Sequence, residues 1–517
     1  MHHCTIARLA AIASTLIVTL ITSTGIAAQA PPAPAAPAAA PAPAAPAAPA
    51  APFAAPPAPP TDPAVVATMA RIRDAAMGSD WSWQRLTELT DRIGPRLSGS
   101  PQLDAAIVQV AAAMRALGAD VRLQPAKVTH WVRGEEHAEL TDYPGRPPGI
   151  TQTLHLTALG GSSATPAGGL NARVVVVHDF NELQARSAEV RGNIVLFEAR
   201  FDQRLADNGE AGAAYRQAGQ YRFAGPSAAA ALGAAAALVR SVGGADYRLP
   251  HTGETFWKPK QAPIPAAALS AEDADLVDRL SASGSVTMKL LLTARTLPDA
   301  DSADVIADWP GSEHPEEVVV VSGHLDSWDL ATGATDDGVG VMAAAGVIQV
   351  LQQLNVHARR SIRFIAWADE ESGKGGGDRA YFDSVQQDIA TQSAAIESDE
   401  GAGRALGINA SVTPDSLALL QPVLAALAPI GATALEHHDG PLGADIAPLQ
   451  DAGTPGFSPL VDARHYFDYH HTAADTLDKV DPQNLKSQVA TMAVLAYYLA
   501  QLPEPLPRVP AHPPSSP

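Results

Sequence analysis

Cysteine is almost absent from this sequence of 517 residues, which contains only Cys4. Cys4 lies in the N-terminal stretch over residues 1–30 and lacks the small apolar residues expected before a lipidated cysteine. If that stretch is removed, the mature chain has no cysteine. Disulfide bonds, thiol catalysis and cysteine-ligated metal are then excluded together. Any bound metal must be held by histidine, aspartate and glutamate.

Basic residues are also few, because 35 Lys and Arg face 55 Asp and Glu, for a formal net charge of −20. An acidic surface disfavours nucleic acid and anionic membranes, so we expect no nucleic-acid partner. No Gly-x-Ser-x-Gly elbow is present, which disfavours a serine hydrolase. Beyond the N-terminus no apolar run is long enough to span a bilayer. We therefore expect no stable membrane insertion once the N-terminal segment is removed.

The first 30 residues have the features of an export signal. A short, mildly basic start precedes an apolar stretch over residues 9–26, and Ala28-Gln29-Ala30 provides a small-x-small cleavage site. We predict a signal peptide over residues 1–30 and an exported protein, either secreted or periplasmic. Residues 31–63 are almost entirely Ala and Pro, which indicates a semi-stiff linker. A Pro-rich tail is predicted over residues 506–517.

The spacing of apolar residues changes near residue 130. Before it, residues 65–77 and 102–117 have the apolar spacing of helices. After it, β-like runs at 174–178, 193–197 and 263–268 alternate with Gly-rich turns, and the Ala-rich segment 226–240 is predicted to be a helix. We predict that residues 130–293 form an inserted β-rich module, and that residues 64–129 and 294–505 together form one α/β domain.

The α/β pattern is clearest after residue 303. Residues 318–322 and 361–368 are continuous apolar runs, as expected for strands buried on both faces, and residues 394–396 form a weaker strand. Residues 339–354 have helical spacing, and a second helix over 483–502 follows an Asp-Pro start. The predicted fold class is therefore α/β, with a mixed, mostly parallel sheet flanked by helices and a β-rich insertion.

Acidic and imidazole side chains follow the predicted strands in order. The candidates are His324 and Asp326 after the first strand, Asp336 and Asp337 before the helix, Glu370 and Glu371 after the second strand, and Asp399 after the third. Each alone is common on a protein surface. Together they should converge, because ligands bind beyond the carboxyl ends of strands in open α/β sheets. Several unpaired carboxylates repel one another, so their convergence predicts a cation site.

The oxygen and nitrogen donors suit Zn²⁺, and less well Mn²⁺ or Co²⁺. A two-ion site shares one carboxylate between ions about 3.5–4 Å apart. Water at such a site is acidified towards hydroxide, and a neighbouring carboxylate passes its proton to the leaving amine. Glu370 and Glu371 would provide one ligand and one base.

Two adjacent histidines near the C-terminus are candidates for a further ligand. We favour His471 over His470, because Asp475 in the pattern His-Thr-x-x-Asp-Thr would fix the loop that presents His471. His470 would then have a packing or supporting role.

These residues resemble those of the metallopeptidase family M28. Similar stretches are residues 93–100, 130–136, 250–253 and 323–329, and the resemblance covers roughly residues 80–500. It implies a zinc-exopeptidase fold with a protease-associated-like insertion, a peptide substrate and a possible homodimer. The loop over residues 372–378 departs from the shorter Gly-x-x-Gly-Ser-like turn of the family, so the substrate preference does not transfer with it.

The resemblance also implies a role for each site residue. Asp336 would bridge two Zn²⁺ ions, His324 and Asp399 would complete one ion, and Glu371 and His471 would complete the other. Glu370 would be the general base, and Asp326 would orient His324.

The leading hypothesis is a dizinc exopeptidase that cleaves unblocked dipeptides or short peptides as a carboxypeptidase or dipeptidase. An M28 aminopeptidase is the nearest alternative, and the available cations Lys374, Arg379 and Arg404 do not decide between the two. A glutaminyl cyclase-like transferase with one zinc is disfavoured by the five-ligand set. A non-catalytic metal-binding module is disfavoured because structural zinc sites are usually closed.

Overall fold

The computed structural model describes residues 62–244 and 246–510. The predicted signal peptide, all but the end of the predicted linker and the last part of the predicted tail lie outside the described residues. The first helix begins at Pro63, and the Asp62 side chain caps it by accepting a hydrogen bond from the main-chain nitrogen of Ala64.

Eight strands of the described residues form a first sheet in the order β1-β12-β14-β13-β15-β18-β16-β17. They are β1 (Asp120–Val128), β12 (Ala300–Trp309), β13 (His314–His324), β14 (Arg360–Trp367), β15 (Gln392–Glu397), β16 (Ala405–Ser411), β17 (Ala434–His437) and β18 (Gly456–Val461). The central strands β14, β13, β15 and β18 are parallel, whereas β1 and β12 at one edge run antiparallel. The predicted mixed, mostly parallel sheet is confirmed.

Apolar residues on both faces explain why this sheet is covered on both sides. Val319 and Val321 of β13 face one core with Phe364 of β14, and the alternate residues Val320 and Ile365 face another. Successive strand residues point to opposite faces, so a continuous apolar run buries both. Helices therefore flank the sheet, as predicted.

The described helices are bounded as follows. They are α1 (Pro63–Gly78), α2 (Trp81–Arg92), α3 (Pro101–Ala116), α4 (Phe180–Ala185), α5 (Ser187–Val190), α6 (Gln203–Asp207), α7 (Ala211–Ala231), α8 (Ala271–Ser281), α9 (Val339–Leu354), α10 (Gly377–Val385), α11 (Gln421–Leu427), α12 (Ala447–Asp451) and α13 (Pro482–Gln501). Asp481 caps α13 and Pro482 is its first residue, as the sequence indicates. No helix was predicted over the residues of α2.

One helical segment of the described chain, Ala334–Leu354, is long and apolar enough to cross a membrane. Its most apolar window is 94% buried inside the protein. It contains α9, which packs against β13 and α13 in the first core. This is the environment of a core helix.

A second sheet is built from eight strands of residues 136–292, in the order β4-β3-β10-β6-β7-β8-β9-β5. They are β3 (Glu136–Asp142), β4 (Gln152–Leu154), β5 (Leu156–Ala158), β6 (Leu170–Val177), β7 (Ile194–Phe197), β8 (Ala236–Arg240), β9 (Ala266–Leu269) and β10 (Thr287–Leu292). The chain enters and leaves this sheet through a short antiparallel ribbon of β2 (Trp131–Val132) and β11 (Arg295–Thr296).

The predicted helix over residues 226–240 is wrong in its second half. Helix α7 ends at Ala231, and Gly233 turns the chain with a φ of +85°. Residues Ala236–Arg240 then form β8, which pairs in parallel with β7 and β9. Alanine has no strong periodic signal of its own, and pairing on both sides of β8 overrides its helical preference.

Candidate metal centre

The carboxyl ends of the central parallel strands position the candidate residues. His324 is the last residue of β13, Glu370 and Glu371 follow β14, and Asp399 follows β15. Asp336 lies in the turn Ala334–Gly338 before α9, and its peptide bond to Asp337 is cis. The structure therefore brings side chains from distant parts of the sequence to one edge of the first sheet.

Asp336 is at the centre of the cluster. Its Oδ1 is 3.2 Å from Nε2 of His324, and its Oδ2 is 3.2 Å from Nε2 of His471. The side chain is buried, which opposes ionisation, but the neighbouring histidines, led by His470, hold the pKa of Asp336 well below its ordinary value. One carboxylate thus faces imidazoles at both of its oxygens.

Further carboxylates lie beside each imidazole. On the first side, Nε2 of His324 is 3.4 Å from Oδ1 of Asp399 and 3.9 Å from Oε2 of Glu370. On the second side, Nε2 of His471 is 3.0 Å from Oε2 of Glu371. Burial disfavours charge on His471, but the Glu371 carboxylate raises its pKa to about 9.

This donor set fits a cation. Ligand atoms of His324, Asp336 and Glu371 lie within 4.8 Å of one another. Oε1 of Glu371 is buried and accepts no hydrogen bond from the described residues. A buried oxygen without a partner is costly unless a ligand satisfies it. Imidazole and carboxylate donors without sulfur suit Zn²⁺.

Asp337 also lies close to His324 and Asp399. Both of its oxygens are already used, because Oδ2 accepts a hydrogen bond from the main-chain nitrogen of His324 and Oδ1 accepts one from that of Gly340. Asp337 therefore fixes the end of β13 and the start of α9.

Asp326 lies beside His324, as predicted, but contacts it through the main chain. The ring Nδ1 of His324 is 3.0 Å from the carbonyl oxygen of Asp326 and 3.9 Å from its carboxylate. The carboxylate instead accepts hydrogen bonds from the main-chain nitrogens of Glu370 and Glu371, at 3.2 and 3.3 Å. Its main contact is thus with the turn that presents both glutamates.

Two histidines approach Asp336 near the C-terminus. The rings of His470 and His471 stack with centroids 3.6 Å apart, and Nε2 of His470 is 3.4 Å from Oδ2 of Asp336. Only His471 also contacts Glu371, and its Nδ1 lies 3.3 Å from the carbonyl oxygen of Thr252. A second hydrogen bond at the far ring nitrogen is how ligating imidazoles are oriented. The geometry favours His471 as the ligand.

Supporting residues hold the loops of the site. Asp475 accepts hydrogen bonds from the main-chain nitrogens of Thr335 and Asp336, at 2.6 and 3.2 Å. Arg96 is fully buried and donates to the carbonyl oxygens of Leu325 and Gly333 at either end of the loop after β13. Burial lowers the pKa of Arg96 to about 10. Arg96 lies in the loop over residues 93–100, which contains none of the predicted site residues.

A cavity of about 380 Å³ opens beside the cluster. Its wall includes Glu370, Asp399 and His471 from the first sheet and Tyr215, Arg222 and Glu254 from the chain of the second sheet. These last three were not predicted. Arg222 and Tyr215 lie on the Ala-rich helix α7, where no pattern marks them, but Glu254 directly follows the distinctive stretch 250–253.

A mixed sheet with imidazole and carboxylate donors at its carboxyl edge defines a metal-dependent hydrolase. The family model described as Peptidase family M28 matches residues 304–496. Carboxypeptidase Q of Homo sapiens is 36% identical over 429 residues, which are 83% of this chain and 87% of that protein. Carboxypeptidase Q of Xenopus laevis has the same identity and coverage.

Solved structures agree. A peptidase M28 precursor from Shewanella amazonensis SB2B is 33% identical with a TM-score of 0.81, and the match covers 87% of this chain and 100% of that chain. A zinc aminopeptidase from Bacillus subtilis, 20% identical with a TM-score of 0.57 over 80% of this chain and 93% of its own, shares the fold. The chain belongs to peptidase family M28 and is a metallo-exopeptidase, which confirms the predicted family and enzyme class.

Proposed function

We propose that this enzyme is a dizinc exopeptidase that cleaves unblocked dipeptides or short peptides as a carboxypeptidase or dipeptidase. The observation that carries the proposal is the position of Asp336, whose two oxygens face the imidazoles of His324 and His471 at 3.2 Å each. A carboxylate shared in this way is what a two-ion site requires. Asp399 then completes the donor set on the His324 side, and Glu371 completes the donor set on the His471 side.

Each residue has a distinct task in this proposal. His324 and Asp399 would hold one ion, Glu371 and His471 the other, and Asp336 both. When bound, two Zn²⁺ ions would polarise the scissile carbonyl and acidify water. Glu370 would be the general base, taking a proton from the attacking water at its carboxylate and delivering it to the leaving amine.

The surroundings of Glu370 support that role. Its main chain is tied to the Asp326 carboxylate, while its side chain borders the cavity. The carboxylate lies 3.9 Å from Nε2 of His324, farther than the carboxylates of Asp336 and Asp399 at 3.2 and 3.4 Å. A base must reach both water and substrate, and a group committed to a ligand bond cannot do so.

Replacing each of the two adjacent glutamates in turn tests the roles assigned to them. Glu370→Gln should keep the bound zinc and lower kcat by about 10²–10⁴-fold, the usual contribution of a general base. Glu371→Gln is the matched variant and should lower the zinc content as well. Zinc per chain and kcat on dialanine are the measurements. Full turnover by Glu370→Gln would contradict the mechanism.

The direction of cleavage requires a panel of blocked substrates. We expect hydrolysis of dialanine and slower hydrolysis of alanyl-alaninamide if the free carboxylate is recognised. Hydrolysis of N-acetyl-dialanine as well would favour a carboxypeptidase over a dipeptidase. Preference for alanyl-alaninamide over N-acetyl-dialanine would favour the aminopeptidase alternative. A zinc content of one ion per chain would favour the transferase alternative.

Export and self-association complete the proposal. The signal-like composition of residues 1–30 supports an exported enzyme, and N-terminal sequencing of the mature protein should find a start at about residue 31. The homodimer rests on the family resemblance alone. Light scattering of the purified enzyme tests it, because a homodimer requires twice the monomer mass of 53.5 kDa, less the mass of any removed signal.

A further inference from the structure

Arg222 is a buried cation without an acidic partner. It lies on α7, is 2% exposed and borders the cavity beside the metal centre. Within residues 62–244 and 246–510 it forms no ion pair with any carboxylate, and its Nε makes no hydrogen bond. Buried charges are normally paired, because desolvation of a lone charge is costly. An unpaired guanidinium at a cavity wall indicates an anion that comes from outside the chain.

Neutral groups fix the position of this side chain. The guanidinium lies over the ring of Phe223, with Cζ 4.5 Å from its centroid, and 5.2 Å from the centroid of Tyr215. Its Nη1 is 3.3 Å from the carbonyl oxygen of Thr252. It packs so closely on Gly253 that a Cβ there would lie 2.5 Å from Cζ. These contacts orient the guanidinium but do not neutralise its charge.

Three other cations, Lys374, Arg379 and Arg404, are less suitable than Arg222 for binding such an anion. Lys374 is 48% exposed at its side chain and already faces Glu254, with 3.4 Å between Nζ and Oε1. Arg379 and Arg404 are exposed. Arg222, in contrast, is buried, and its Nη1 lies 3.5 Å from Nδ1 of His471. One imidazole ring therefore separates the guanidinium from Asp336 and Glu371.

The geometry points to Arg222 as the residue that binds the C-terminal carboxylate of the substrate. A guanidinium fork matches a carboxylate with two parallel hydrogen bonds. The C-terminus carries the one carboxylate that every unblocked peptide has. One extended residue spans about 3.3–3.6 Å, so the C-terminal carboxylate of a dipeptide lies close to its scissile bond, as Arg222 lies close to the proposed ligand His471. This inference rests on the proposed function and identifies its specificity determinant.

The test compares Arg222→Met and Arg222→Lys with Arg216→Met, an exposed arginine on the same helix. Substrates are dialanine and alanyl-alaninamide. For Arg222→Met we expect kcat/KM on dialanine to fall about 10- to 100-fold, the range for a lost hydrogen bond to a charged group, mainly through KM. Alanyl-alaninamide should be unaffected, so the preference for the free acid disappears. Arg222→Lys should retain part of that preference, and Arg216→Met all of it.

Several results would overturn the inference. An equal fall on both substrates would mean that Arg222 only supports the fold or His471. An unchanged preference for the acid, or a wild-type enzyme without any such preference, would mean that Arg222 does not read the carboxylate. Circular dichroism and zinc content of each variant identify misfolding, in which case Arg222→Lys carries the comparison. Failure of the proposed mechanism is seen separately, as turnover by Glu370→Gln.

Discussion

Asp326 determines the conformation of the turn that carries the two glutamates. Its Oδ1 accepts hydrogen bonds from the main-chain nitrogens of Asp369 and Glu370, and its Oδ2 accepts them from Glu371 and from Oγ of Ser98. Four donors surround one buried carboxylate. The positions of a ligand and of the proposed base thus depend on a residue that contacts neither of their carboxylates.

Replacing this carboxylate with an amide should disturb the site strongly. In Asp326→Asn an NH₂ group faces hydrogen-bond donors, so we expect zinc affinity and kcat/KM to fall about 10- to 100-fold, as for other residues that orient metal ligands. Ser98→Ala is the control, since it removes one hydrogen bond worth about 1 kcal/mol. Competition with a chelator measures the affinity. Equal effects of the two variants would contradict the assigned role.

Glu254 should make stability depend on pH. Burial raises the pKa of Glu254 from 4.5 to about 7, although Lys374 opposes the shift. Between these two values the unfolded chain loses the proton and the folded chain keeps it. The folded state therefore loses stability as pH rises through this window, by about 3 kcal/mol in total. Below pH 4.5 the effect is absent.

Denaturant unfolding of the metal-free protein between pH 4.5 and 8 checks this. The free energy of unfolding of the wild type should fall relative to that of Glu254→Gln, which has no carboxyl group to ionise. Glu316→Gln, at a 63% exposed side chain, is the control and should follow the wild type. Parallel curves for wild type and Glu254→Gln would exclude the assigned shift.

The cluster of candidate metal ligands could be identified from the sequence, but the residues from the second sheet that line the cavity could not. His324, Glu370 and Asp399 follow apolar strands directly, so strand topology alone indicates that they converge. Arg222 and Glu254 reach the same cavity from the second sheet. Their position depends on how that sheet packs on the first one, and no local pattern encodes such a long-range contact.

At the scale of elements, the start of α9 is fitted closely to the site. Gly340 packs against the end of the neighbouring strand, where a Cβ would lie 1.9 Å from the carbonyl oxygen of Ser398 and 2.3 Å from Oδ1 of Asp337. Asp399, a proposed ligand, follows Ser398. The helix therefore approaches the first sheet as closely as a glycine allows.

Gly340→Ala should separate these elements. Alanine favours a helix by about 1 kcal/mol over glycine, but overpacking in a tight core costs about 1–3 kcal/mol, so we expect a net loss of stability together with weaker zinc binding. Gly78→Ala, at the last residue of α1 with no atom within 4 Å of the added Cβ, is the control. Thermal unfolding of both variants measures the effect. A higher Tm for Gly340→Ala would contradict it.

Helices and strands could be predicted from the sequence where an apolar stretch is also buried in the structure. The valine run of β13, the second half of β14 and most of α9 are apolar because the structure buries them on both sides. The prediction of a helix over residues 226–240 is wrong in its second half because alanine fits a helix and a buried strand equally well in size. Gly233 alone marks the change from helix to strand. Helix α2 is mostly polar and buries only a few positions, among them Leu86 and Leu89, so few apolar residues mark it in the sequence.

At the scale of the whole molecule, the second sheet helps to hold the metal centre. The main-chain nitrogen of Thr252 donates to the carbonyl oxygen of His471 at 2.9 Å, and the carbonyl oxygen of Thr252 faces Nδ1 of the same histidine at 3.3 Å. A proposed ligand of the first sheet is thus oriented by the chain of the second. The two sheets should therefore stabilise the site together.

Arg133 links the two sheets. It is 8% exposed, and its Nε is 3.0 Å from both oxygens of Asp329, in the loop after β13. Its Nη1 donates to Oγ1 of Thr157 on β5 at 2.6 Å, and its Nη2 lies 3.3 Å from Oγ1 of Thr252. One side chain therefore connects the loop that leads to Asp336 with the residue that orients His471.

Arg133→Met should weaken folding and metal binding together. The variant breaks charge-assisted hydrogen bonds to Asp329, whose side chain is 27% exposed, so we expect a loss of about 1.5–3 kcal/mol. The matched control is Arg204→Met, whose pair with Asp202 is 89% exposed on the arginine side and should contribute little to stability. Denaturant unfolding with and without zinc measures both effects. If Arg133→Met lost stability but kept the zinc affinity of the wild type, the second sheet would support the fold without positioning His471. If it behaved like Arg204→Met, the link between the sheets would lie elsewhere.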